Sequence, residues 1–276
     1  MAKFLKPDNI LTHTVGAHRF VVHQKIIPDD MRAPRNVAAW VPKGSPMKPR
    51  RLLGGNGVAR GICVHNTNDI TVARGTNAAE QYTRATFNGN MAGVVVHYYV
   101  WRNEIWQNLR LDEQGWHGGD GQTRRDGRRP GQRIGGNLDT IAIEAIGSHA
   151  ETTRATALLC AWLCQELSLE PALDLWQHFD FSRKICPQYI RPHWASFVQT
   201  VACFSAGEQM NETAVLSTPN TLSQHTVVRG DTMWALAQIH LGCPLRWEEI
   251  AALNPDVVPE RMQIGTRLHL PPREAE

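Results

Sequence analysis

Apolar residues along the first 200 positions of the chain follow two different rhythms. GICVH (61–65) alternates, with Ile62 and Val64 on one face and Cys63 and His65 on the other, which is the period of a strand. AGVVVHYYVWRNEIWQNL (92–109) reads as two strands around an Arg102–Asn103 turn, and DTIAIEAIG (139–147) as a strand buried on both faces. TRATALLCAWLCQELSL (153–169) has the helical period, with Leu158, Leu159, Trp162, Leu163 and Leu167 on its apolar side, and a second helix is expected from Ala78. Strands interleaved with helices predict an α/β body: a central mixed β-sheet flanked by helices. The first 55 residues resist such a reading, because Pro28, Pro34, Pro42, Pro46 and Pro49 break any long element. His13, His18 and His23 recur every five residues, a spacing that fits neither a helix face nor a strand face, so they read as non-metal.

The pattern changes at AGEQMNETAVLSTPNTLSQ (206–224), which is poor in large apolar residues and rich in Ser, Thr and Asn, the composition of a linker. Beyond it lies a small unit. Thr226 to Val228 predict a short strand, Gly230 a turn, and Asp231 or Thr232 the cap of a helix whose apolar side carries Trp234, Leu236, Ala237 and Ile239. RWEEIAALNP (246–255) is a second helix stopped at Asn254–Pro255, and IGTRLHLP (264–271) closes the unit as a strand, giving βααβ.

Composition narrows the class. The 276 residues are 42% hydrophobic and 20% charged, enough for a sizeable core, and the net charge of +3 is too weak to argue for nucleic acid. The six cysteines are scattered and lie mostly in apolar runs, which reads as reduced, buried thiols rather than a disulfide framework. Cys160 and Cys164, one helical turn apart, belong to such a run. MAKFLKPDNILTHTV has no stretch resembling a signal peptide, and no run of about 18 apolar residues predicts a membrane span. A cytoplasmic location before release, without membrane insertion, is the expectation.

The candidate chemistry begins at WQHFDFSRKICP (176–187). His178 and Cys186 stand eight residues apart, and imidazole and thiolate both suit zinc; Lys184 is a cation placed where charge would build on a substrate oxygen. A catalytic zinc needs a third protein ligand, and His65, at the end of an apolar strand and followed by Asn-Thr-Asn, is the best candidate. His97, inside VVVHYYV, reads as a hydrogen-bonded core histidine before it reads as a ligand. His117, in EQGWHGGDG, more readily lines a substrate cleft. Glu144 is a carboxylate in an apolar strand, which costs stability unless it is paired or functional. Arg124, Arg125, Arg128, Arg129 and Arg133 lie among glycines; a solvated loop and a contact to an acidic ligand are the two readings.

Taken in order, ICVHNTND, GVVVHYYVWRNEIWQNLRLDEQGWHGGDG, GGNLDTIAIEAIG and WQHFDFSRKICP resemble the zinc-dependent N-acetylmuramoyl-L-alanine amidases of the peptidoglycan-recognition and phage-lysozyme type, over roughly residues 20 to 200. VVRGDTMWALA, the helix ending in LNP and IGTRLHLP resemble the LysM module over residues 225 to 271. The resemblance implies a domain plan: an extension (1–20), a zinc amidase domain (21–205), a flexible linker (206–224) and a LysM module (225–272). It implies Zn2+ held by His65, His178 and Cys186, with Lys184 on the oxyanion and Glu144 as proton carrier. Where some branches carry a tyrosine soon after the first ligand, this chain has Asn66 to Asp69, which favours the glutamate branch. Asn66, His97 and His117 are carried as substrate-binding candidates in the amidase, and Gly230, Asp231, Thr232 and Asn254 as those of the LysM groove. The implied partner is peptidoglycan, muramyl stem peptides at the amidase and N-acetylglucosamine-containing glycan at the tail. A phage or prophage endolysin released through a holin fits that plan; a recognition protein of the same fold that binds muropeptides without cutting them is the alternative.

Overall fold

The structure, a computed structural model, describes residues 5–31, 48–49, 52–72, 76–91, 93–119, 124–206, 223–241 and 246–271. The expected linker lies outside these residues except for its two ends. In chain order the body comprises β1 (Asn9–Val15), β2 (His18–Gln24), β3 (Gly61–Thr67), α1 (Ala78–Phe87), β4 (Tyr98–Trp101), β5 (Glu104–Gln107), β6 (Arg124–Arg125), β7 (Arg133–Ile134), α2 (Gly136–Asp139), β8 (Thr140–Ile146), α3 (Ala150–Leu167), α4 (Pro171–Asp174), β9 (Leu175–Gln177), α5 (His178–Ser182) and α6 (Trp194–Ala206). The tail comprises β10 (Ser223–Thr226), α7 (Met233–Leu241), α8 (Trp247–Leu253) and β11 (Arg267–Leu270).

Seven strands form one mixed sheet in the order β1-β2-β5-β4-β8-β3-β9. The four strands β4, β8, β3 and β9 run parallel, so their C-terminal ends gather at one edge. Strand alternation divides the sheet's surface in two. Ile62, Val64, Tyr98, Ile141 and Ile143 meet α3 and α6 through Leu158, Leu159, Leu163, Phe197 and Val201. The opposite face presents Tyr99, Ala142 and Ile146 to Ala78 and Ala79 of α1, and Cys63 to Trp176, Phe181 and Ile134. Because β8 is covered on both sides, its run TIAIEAI is almost unbroken in its hydrophobicity, as buried parallel strands are.

The N-terminal hairpin departs from expectation. Gly16, at φ 55°, turns the chain, and β1 and β2 pair from Asn9–Gln24 to Val15–His18 before β2 joins β5. Residues 9 to 20, expected within an extension, thus lie in the sheet. The five-residue spacing of His13, His18 and His23 spans a turn, so no single-element period could describe it. His13 packs on Trp162 of α3, His18 on Phe204 of α6 and His23 on Trp106 of β5.

In the tail, β10 pairs antiparallel with β11, three residues earlier than the strand expected at Thr226 to Val228. Met233, Leu236, Ile250, Leu268 and Leu270 form its own core. Ile239, expected on the apolar side of α7, is exposed. Among the described residues no helix is long and apolar enough to cross a membrane.

Leu159 is fully buried where α3 meets the sheet. Leu159→Ala is expected to lower unfolding free energy by about 2–5 kcal/mol, read from urea denaturation.

Candidate metal centre

Adjacent parallel strands fix the first two functional side chains. In the β3–β8 register His65 stands beside Glu144, and on the other side of β8 Glu144 stands beside Tyr99. The third element arrives at the end of β9, where Gln177 caps α5 in a reciprocal pair with Asp180, which makes His178 the first residue of that helix. The backbone then turns through Arg183, at φ 64°, and carries Lys184 and Cys186 back toward the sheet edge. Phe179 N–H donates to the Cys186 carbonyl at 2.9 Å, closing this segment on itself.

His65, His178 and Cys186 are all buried, and their donor atoms lie within 4.8 Å of one another. His65 Nδ1 is 3.9 Å from Cys186 Sγ, and the His65 and His178 rings are 4.5 Å apart between centroids. Ligands at about 2.0–2.3 Å from a tetrahedral zinc are spaced on that scale, and the donor set N, N, S is one that zinc takes. Burial, the neighbouring His117 and His178 rings and the Lys184 charge all hold His65 neutral, with a lone pair to give. Burial pushes the Cys186 thiol up to about 11, partly offset by the Asn66 N–H that points at its sulfur from 3.4 Å. Taking up a cation would therefore release that thiol proton.

Cys63, His65 and His117 form a second close set that shares His65. Its Cys63 side is an apolar cluster with Ile134, Trp176 and Phe181. His65 Nε2 lies 2.9 Å from His117 Nδ1 and 3.3 Å from Cys63 Sγ. With His65 Nε2–H as the donor to His117, Nδ1 is left as a lone pair facing Cys186, the arrangement by which outer groups orient a metal ligand. His117 is itself held: the Asn137 side-chain oxygen accepts from both His117 N–H and Gly118 N–H at 2.6 Å. Gly115 matters here because a Cβ would meet the Val95 carbonyl at 2.7 Å and the His117 ring at 3.1 Å. Asn137 and Gly115 were not singled out in the sequence; the only trace was the polar, glycine-rich character of GGNLD and EQGWHGG.

The remaining candidates have other work. His97 is wholly buried, its Nε2 donating to the Glu113 carbonyl and its Nδ1 accepting from Ala142 N–H, so it is a strut between strands and does not line a cleft. Asn66 is also spent. Its amide donates to the Ala145 and Gly147 carbonyls and its oxygen accepts from Tyr189 N–H, which clamps the Cys186 segment to the end of β8. In the tail, Asp231 accepts from His225 and Val228 N–H, and Asn254 bonds Ile250 and His269; Thr232 borders a cavity. Two of the arginines are more internal than a solvated loop implies, while Arg133 is exposed. Arg128 stacks on Trp176 and Arg129 pairs with Asp174 and Glu170.

Glu144 keeps partial solvent access although protein atoms closely surround it. Desolvation lifts its carboxyl to about 8, and the charge of the exposed Lys184 counters only part of that.

Comparison with known proteins covers the segments that carry these residues. The family model for N-acetylmuramoyl-L-alanine amidases (Amidase_2) matches residues 55–189, and the LysM domain model matches residues 225–271. The N-acetylmuramoyl-L-alanine amidase CwlH of Bacillus subtilis (strain 168) is 30% identical over 145 residues, covering 51% of this chain and 52% of that protein. XlyB, an amidase of the same organism, is 27% identical over 215 residues, covering 76% and 62%. The chain thus spans about half to three-fifths of these relatives' lengths. The solution structure of the PlyG catalytic domain superposes with a TM-score of 0.50 at 19% identity, over 71% of this chain and 98% of that one, and shares its fold.

A raised carboxyl value means that ionising Glu144 costs the folded state. The cost begins above the ordinary carboxylate range and is complete above about pH 8. In metal-free protein, Glu144→Gln is expected to match the parent at pH 5 and to exceed it by on the order of 2–4 kcal/mol at pH 8.5, measured by urea denaturation at both pH values.

Proposed function

We propose that this chain, which carries an Amidase_2 domain followed by a C-terminal LysM domain, hydrolyses the amide between the lactyl group of N-acetylmuramic acid and the L-alanine of the stem peptide. The observation that carries the reading is the convergence of His65, His178 and Cys186 beside Glu144, at the edge where the parallel strands end. His65, His178 and Cys186 would hold zinc, which when bound supplies Lewis acidity and an acidified water.

The chain's own residues divide the rest of the work. Glu144 takes the proton of the attacking water at its carboxylate and passes it to the departing alanine nitrogen, so the amide C–N bond breaks with a neutral amine leaving. A carboxyl held near 8 suits both halves of that transfer near neutral pH. Lys184 reaches Glu144, His65 and Cys186 with its charge from the exposed side, where it can face the substrate carbonyl oxygen as negative charge develops. His117 keeps His65 in the required tautomer, and Asn66 holds the Cys186 segment in place.

The tail supplies retention. A LysM-type unit on N-acetylglucosamine-containing glycan would keep the amidase at an insoluble polymer and raise its local substrate concentration. Accumulation in a cytoplasm and release to the wall through a holin, as for an endolysin, accords with this plan.

Purified peptidoglycan digested with the zinc-loaded protein should yield stem peptides with a free L-alanine amino terminus by mass spectrometry; new reducing sugar ends, or no product, would sink the reading. Cys186→Ser should lose both metal and turnover. Glu144→Gln should retain metal and lose about 10²–10⁴-fold in kcat, and full retained rate would remove Glu144 from the proton transfer. His117→Ala should weaken zinc affinity about 10–100-fold in a chelator competition, with partial recovery in His117→Gln.

A further inference from the structure

A cleft of about 440 Å³ runs between the body and the tail. That volume lies in the range of about 300–1,000 Å³ usual for ligand sites. Its body wall is built from the start of α3, with Thr153, and from the segment after Cys186, with Tyr189 and His193. Its tail wall is Thr232, Trp234 and Trp247. Trp234 also packs against the body's own core, so the two walls meet rather than merely face each other.

The chemistry of this lining is that of a saccharide site. Indole and phenol faces give flat apolar surfaces for the C–H faces of a pyranose, and hydroxyl and imidazole groups at the rim can exchange hydrogen bonds with ring hydroxyls and N-acetyl groups. Among the described residues the lining is aromatic, aliphatic, hydroxyl and imidazole in character.

Position supports the same ligand. The loop that follows His65 ties the cleft to the metal centre. Asn68 Oδ1 accepts from Gln188 Nε2 at 2.6 Å and from Tyr189 O–H at 2.9 Å. Asp69 pairs with His149, the residue that precedes α3, and accepts from Trp101 Nε1 at 3.0 Å. One short loop therefore joins the His65 and Cys186 ligands to the body wall of the cleft.

We infer that the cleft between the two domains binds the N-acetylated glycan strand whose muramyl amide lies at the metal centre, with the amidase body forming one wall and the LysM unit the other. The inference rests on the amidase reading above and adds to it a composite site. The tail is then part of the substrate cleft rather than only a tether, and the strand is aligned while its stem peptide reaches His65, His178 and Cys186.

Two variants at opposite walls test it in the full-length, zinc-loaded protein: Trp234→Ala removes an aromatic face, and Thr153→Trp fills the cleft from the body side. The substrates are insoluble peptidoglycan and a soluble N-acetylmuramoyl-tripeptide too short to reach the cleft, and the binding probe is tetra-N-acetylchitotetraose, titrated by calorimetry into Glu144→Gln backgrounds. Both variants should raise KM for the polymer at least about tenfold, hold kcat on the short substrate within about twofold, and weaken tetrasaccharide binding by a similar factor. Unchanged melting temperatures and zinc content confirm that each variant is folded. If Thr153→Trp leaves polymer KM and tetrasaccharide binding unchanged while Trp234→Ala weakens them, the tail binds glycan alone and the composite site is wrong. Equal loss on both substrates also overturns it, because the defect then lies in the chemistry. If the parent protein cleaves neither substrate yet binds the tetrasaccharide in a way Thr153→Trp abolishes, the amidase reading fails and the cleft stands.

Discussion

The pairing of β3 with β8 is the constraint on which the rest of the structure depends. Two parallel strands joined by a regular ladder leave no freedom in which side chains stand abreast, and here the ladder sets His65 beside Glu144. A slip of one residue would turn His65 into the core beneath α3 and bring Val64 or Asn66 to its place. Ile62, Val64, Ile141 and Ile143 oppose that slip, because all four must stay on the covered face. The hydrophobic burial that stabilises the body is therefore also what aligns the His65 imidazole with a carboxyl group.

From that pair outward, each functional residue is held by a neighbour with no part in the chemistry. The Gln177–Asp180 capping pair starts α5 at His178. Asn66 uses both ends of its side chain to fasten the Cys186 segment to the end of β8. Asn137 holds the backbone of the His117 turn, and His117 bonds the face of His65 that points away from Cys186. The result is a crowded, poorly solvated centre in which the His65 and His117 imidazoles stay neutral, a thiol keeps its proton until a cation displaces it, and a carboxyl titrates near neutrality. The cost is most direct at Glu144, where an ionisable group occupies a position that packing alone would give to an apolar one.

Much of this was legible in the residues. The alternation in GICVH, the double-sided run in TIAIEAI and the 3.6-residue period of TRATALLCAWLCQEL each correspond to an element with the expected face buried. WQHFDFSRKICP by itself offered only a half-site, and it became a specific candidate when His65 and Glu144 were read beside it. The N-terminal hairpin was not legible, since its histidine spacing crosses a turn, and neither was the fate of His97 and Asn66. Both are polar residues near the site, and nothing in their sequence distinguishes a side chain consumed by backbone groups from one that faces a ligand.

By itself, then, the sequence determined the central strands β3 and β8 and the helix α3, and which residue types are able to hold a metal, carry a proton or meet a sugar. Tertiary structure decided which of those residues meet. Periodicity is a local property, written in neighbours up to about four positions apart. The approach of His65 to Cys186, or of Thr153 to Trp234, depends on strand order, on register and on how a small domain seats against a larger one. Those are outcomes of the burial of the whole chain, and no short stretch of it encodes them.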